Sequence, residues 1–133
     1  MKNLLFLIAS VMTWSANAIP SLDAIEINAH SESSQCESLL DSASFDQLLR
    51  IVHRQEFDDK KREAIEQAVK GKCLKIKQIV SLLRQFSFEE DRITLAKMFW
   101  DHTDERLRFE EVIAVFEFES SKKEVRKFIA ERK

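Results

Sequence analysis

Between Trp100 and Arg106 the sequence places Asp101, His102, Thr103, Asp104 and Glu105 in succession. Three carboxylates and an imidazole in one short stretch combine hard oxygen donors with a borderline nitrogen, a set that divalent cations accept. Asp101, His102 and Asp104 are therefore the candidate metal ligands, and the same groups would serve a weak hydrolase centred on residues 101–105. Their spacing matches no recognised metal loop, and the plainer role for Asp104 is to cap the helix that follows.

The remaining chemistry is sparse. His53 stands at the end of a helical stretch, where an imidazole suits the negative end of the helix dipole, and no neighbour in sequence completes a site around it. His30 falls in an acidic arm. The sequence holds no glycine-rich phosphate loop, no His-Glu-x-x-His and no nucleophile elbow. With a single glycine, a phosphate cradle is hard to build. Catalytic residues and cofactors are thus not expected, and a non-enzymatic role is the reading the residues favour.

Charge narrows the partners. Lys and Arg number 21 against 23 Asp and Glu, a balance that argues against nucleic acid, which selects strongly basic surfaces. Two local basic groups exist, Lys70, Lys72, Lys75 and Lys77, and Lys122, Lys123, Arg126 and Lys127; either is an ordinary solvated face by default. A protein or peptide is the expected partner.

The ends give an address. Lys2 followed by the apolar run from Leu4 to Met12, then Ala16-Asn17-Ala18, has the layout of a signal peptide cleaved after Ala18, and predicts a secreted or periplasmic protein. That run is too short to cross a bilayer, and no later segment approaches the roughly 18 apolar residues that a span needs. Cys36 and Cys73 are the only cysteines. In an oxidising compartment, pairing is their simplest use; two free thiols or a redox pair are the alternatives. Residues 19–41 carry Asp23, Glu26, Glu32, Glu37 and Asp41 with no Lys or Arg, the composition of a flexible acidic arm until Cys36 ties it down.

The elements that must position these groups are helices. One Gly, one Pro, no Tyr and an abundance of Leu, Ile, Lys, Glu and Ala disfavour sheet. Phe45, Leu48, Leu49 and Val52 form one stripe behind Ser44 as N-cap. A second helix opens near Asp58, turns Ile65, Ala68 and Val69 inward and stops at Gly71. Ile76, Ile79, Val80 and Leu83 mark a third. Ser87 to Glu90 reads as a capping box for a fourth bearing Ile93, Ala96, Phe99 and Trp100. Asp104 opens a fifth with Leu107, Val112, Ile113 and Phe116, and Ser121 to Glu124 is a second capping box for a sixth with Val125, Phe128 and Ile129.

The six repeat in pairs. Glu56-Phe57-Asp58-Asp59, Ser87-Phe88-Glu89-Glu90 and Glu117-Phe118-Glu119-Ser120 precede the even-numbered helices, and Phe45, Leu48, Leu49 and Val52 match Ile76, Ile79, Val80 and Leu83. Phe109, Ile113 and Phe116 continue the register of Ile79, Leu83 and Phe86. The expected fold is all-α, three stacked hairpins over residues 42–73, 74–104 and 105–133, each too small to bury its own apolar face. Phe57, Phe88 and Phe118 are expected to staple onto the turns that follow, with the acids behind them favouring the helix dipole; an aromatic-lined ligand groove is the alternative.

Cys36 ahead of Phe45, Phe57-Asp58, Cys73-Leu74 with Gln78 and Ile79, Phe86-Ser87-Phe88-Glu89 with Arg92, Leu95-Ala96-Lys97 and Phe116-Glu117-Phe118 together resemble the bacterial domain-of-unknown-function family numbered 4476. The resemblance runs from about Cys36 to Ile129, and its most specific block is Phe-Ser-Phe-Glu with the following Arg and Leu-Ala-Lys. Where that family looks tyrosine-rich, this chain has Trp100 and no tyrosine. The resemblance implies an exported or surface-associated helical protein with paired cysteines, and it transfers no functional residue. The sequence thus points to an exported, non-enzymatic interaction or envelope-associated module.

Overall fold

A computed structural model describes residues 36–133; the expected signal peptide 1–18 and the arm through residue 35, with His30, lie outside the described residues. Cys36 to Asp41, the end of the acidic arm, belong to the folded unit. Ser38–Leu39 (β1) pairs in parallel with Lys72–Cys73 (β2), Ser38 opposite Lys72 and Leu39 opposite Cys73. Cys36 and Cys73 are disulfide-bonded, with Cα atoms 5.0 Å apart. Gly71, at φ +65°, supplies the left-handed turn that ends the second helix's overrun, and its carbonyl accepts the Glu37 N–H at 2.9 Å.

The helices are Ser42–Arg54 (α1), Asp58–Ala68 (α2), Ile76–Leu83 (α3), Glu89–Phe99 (α4) and Glu119–Ala130 (α5), with a short 3-10 turn at Trp100–His102 and a 3-10 helix at Arg106–Val115. They form three hairpins, α1 with α2, α3 with α4, and the 3-10 helix with α5. The third hairpin stacks on the second, the 3-10 helix against α3 and α5 against α4. His53 and Lys61 reach Gln85, and Arg62 pairs with Asp91, so the first hairpin is tied to the second. The fold is all-α apart from the two-residue β-bridge, and it is a single unit with one core.

That core follows the repeat register. Phe45, Leu48, Val52, Ile76, Ile79, Leu83, Phe109 and Ile113 are buried, while Leu49 and Val80, equivalent in register, are both half-buried. Phe86, Phe99 and Phe109 are among the largest fully enclosed side chains, each worth about 1.5–3 kcal/mol of burial. Trp100 meets Phe109 edge-on at 5.1 Å and Phe128 at 6.3 Å, locking the second hairpin to the third.

Several helix starts differ from those read in sequence: two are served by residues earlier in the chain, and two carry no side-chain cap. Asp41, not Ser44, caps α1; its carboxylate accepts the Ser44 N–H at 2.9 Å and the Ser44 hydroxyl at 2.7 Å. Those bonds hold the Asp41 carboxyl below its ordinary range. Ser87 does not cap α4 and Ser121 does not cap α5: Phe88 and Phe118 hold the two N-cap positions, and Ser121 lies inside α5, its hydroxyl donating to the Glu89 side chain of the second hairpin. Thr103 rather than Asp104 precedes the fifth helix as acceptor, its hydroxyl taking the Glu105 N–H at 3.1 Å. That helix is 3-10, so Phe109, Val112 and Val115, three residues apart, share its buried face. Leu107 falls off that face and is exposed.

Candidate functional site

The fold gathers residues 101–105 at the disulfide end and uses them there. The His102 carbonyl accepts the Leu74 N–H at 2.7 Å, and its Nδ1 lies 3.2 Å from the Lys72 carbonyl, which can only accept. Thr103 is fully buried. One Glu105 oxygen takes the Ile76 N–H at 2.7 Å, capping α3, and the other pairs with Arg108 at 2.9 Å. Asp101 faces Arg106 at 3.8 Å, and Asp104 is exposed. Asp101, His102 and Asp104 are thus close in sequence but serve separate partners, and among the described residues no three such groups are placed to share a metal ion. His53 stands apart, 3.3 Å from Gln85. Of the basic groups, Lys72 donates to Ser38, and Lys122 and Arg126 face Glu119.

The turns that open α2, α4 and α5 carry the three phenylalanines expected to staple inward. Phe57, Phe88 and Phe118 occupy the N-cap positions of α2, α4 and α5, in extended backbone, with no side-chain cap. They are 70%, 69% and 64% exposed. They do not staple inward; Phe86 and Phe116, two residues earlier in the second and third repeats, take the buried places instead. A phenylalanine is a poor N-cap, because it offers no acceptor to the free N–H groups of the first turn. The same unfavourable choice at three equivalent positions leaves three rings in water, with Phe88 and Phe118 on one shared edge.

That edge is rigid. Glu89 Oε1 accepts the Phe118 N–H at 3.2 Å and also takes the Glu117 N–H, while its Oε2 accepts the Ser121 hydroxyl. Arg92 donates from Nε to the Phe86 carbonyl at 2.9 Å and from its terminal nitrogen to the Val115 carbonyl at 3.1 Å, clamping the turns ahead of Phe88 and Phe118. Burial alone would raise the Glu89 pKa, but the bonds from Ser121, Glu117 and Phe118 and the nearby Arg92 charge outweigh it, so the carboxyl sits below its ordinary range. Arg62 pairs with Asp91 and so sets the first turn of α4 beside α2.

An open groove of about 540 Å³ lies between Phe88 and Phe118, with Ile93, Glu89, Glu90 and Asp91 along it. Sequence reasoning noticed the Phe-acid repeat but assigned its rings to packing. The available sign was that each of these rings stands where a polar cap belongs.

Among the described residues no helix is long and apolar enough to cross a membrane. No curated protein and no solved structure matches the chain. The match to a family model extends over residues 23–129, taking in the Phe-acid repeats and both cysteines, and the chain belongs to that family, the domain of unknown function DUF4476.

Proposed function

We propose that the protein is an exported, non-enzymatic interaction module that engages a protein or peptide partner through the edge formed by Phe57, Phe88 and Phe118. The observation that carries this reading is the exposure of three phenylalanines at equivalent N-cap positions, where a polar residue would serve folding better. Stacked hairpins present such an edge as a rigid row, so ordering it costs little on binding. Export rests on the layout of residues 1–18, and the Cys36–Cys73 disulfide suits an oxidising compartment. A metal-dependent or hydrolytic role for residues 101–105 has less support, since His102, Thr103 and Glu105 are engaged in holding β2, the loop and the start of α3.

The test is comparative capture from the native cell envelope. Wild-type protein and a Phe57→Ser/Phe88→Ser/Phe118→Ser variant of equal helicity are used as baits. Bands retained by the first and lost by the second support the reading; identical capture by both contradicts it.

A further inference from the structure

The groove between Phe88 and Phe118 carries a charge pattern that selects its occupant. Glu89 is spent on the Glu117 and Phe118 N–H groups and on Ser121, and Asp91 on Arg62. Glu90 and Glu117 are exposed and form no ion pair among the described residues. Of the cations near them, Arg62 pairs with Asp91 and Lys122 with Glu119, while Arg92 donates to the Phe86 and Val115 carbonyls and its charge is felt by Glu89. Arg54 and Arg84 lie at the ends of α1 and α3 and do not line the groove.

We infer that this groove receives a lysine or arginine side chain, flanked by an apolar residue, from an extended segment of a partner polypeptide; the inference rests on reading the phenylalanine edge as the binding face. The two rings offer their π-faces to the cation and their apolar area to its stem and neighbour. Glu90, which lines the groove, supplies the opposite charge, and Glu117, next to Phe118 in the chain and exposed, adds to it. Phe88 and Phe118 both line an open groove of about 540 Å³, which leaves room for a side chain to enter between them. An anionic lipid surface would meet the two free carboxylates first, which favours the polypeptide over a membrane.

The experiment is an amide-resonance NMR titration of the disulfide-bonded protein with three peptides. Each has Gly-Ser flanks and a core of Arg-Leu-Arg, Ser-Leu-Ser or Glu-Leu-Glu. The inference expects the arginine peptide to shift resonances of residues 88–93 and 117–121, with binding weakened by added salt. Glu90→Gln/Glu117→Gln, which changes only exposed groups, should weaken it several-fold, and Phe88→Ser/Phe118→Ser should abolish it. Equal shifts from all three peptides would overturn the cationic preference while leaving the phenylalanine face standing. No shift from the arginine peptide would overturn it as well. If phosphatidylglycerol vesicles perturb the same resonances and the arginine peptide does not, the occupant is a membrane and the inference fails.

Discussion

Glu89 Oε1 accepts the backbone N–H of Phe118 at 3.2 Å, so the first residue of α4 fixes the turn that opens α5. The acid of one repeat thereby holds the exposed ring of the next, so a first-turn carboxylate of α4 acts between hairpins.

Removing that carboxylate should loosen the stack. Glu89→Ala leaves the Glu117 and Phe118 N–H groups and the hydroxyl of the buried Ser121 without their acceptor, and the expected loss is about 1–3 kcal/mol, discounted for the partial exposure of Glu89. Glu89→Gln, which keeps an acceptor oxygen, should recover part of it. Urea unfolding monitored by helicity measures both.

The same group sets an acid limb. The Glu89 carboxyl titrates below its ordinary value of 4.5, so the folded form binds its proton less readily than the unfolded chain does. Its contribution is present above that ordinary value and is lost as pH falls through the lowered folded one. Asp41 and Glu110 are lowered too and act with the same sign. Stability should therefore fall on acidification, and the difference between wild type and Glu89→Gln should shrink over that window. Unfolding curves at a series of acidic pH values check the sign; a gap that widens on acidification would contradict it.

The disulfide closes a loop of 37 residues in sequence separation, and Cys36→Ser/Cys73→Ser should cost about 3–4 kcal/mol. The loss should be local as well as global, because β1 is held to β2 and Gly71 by only a few backbone bonds. Hydrogen exchange at the Glu37 and Leu40 amides should accelerate more than exchange at Ile79 or Leu83.

Much of this architecture was legible in the sequence, because burial obeys a period that sequence displays. The stripe of Phe45, Leu48 and Val52 recurs as Ile76, Ile79 and Leu83, and both bury as hairpins require. Gly71 announced its own left-handed turn. What sequence could not display were partners from other hairpins: Glu105 capping α3, Glu89 serving α5 and Arg92 bridging two turns. A helix start is ambiguous when several Ser and Asp stand near it, and tertiary acceptors decide. Among the site residues, periodicity recovered the Phe-acid repeat but not its exposure. A ring ahead of a helix reads alike whether it folds back or points outward, and Phe86 and Phe116 had already filled the inward places.

The claim that Phe57, Phe88 and Phe118 are kept for contact rather than for folding is tested most directly by the unfolding free energy of Phe57→Ser/Phe88→Ser/Phe118→Ser, with Phe86→Ala as control. Serine restores a good N-cap while giving up only the minor part of each ring that is covered, so the expected change is within about 1 kcal/mol per site. The control should lose about 3–5 kcal/mol. A loss per site as large as the control's would make the three rings part of the packing and contradict the claim.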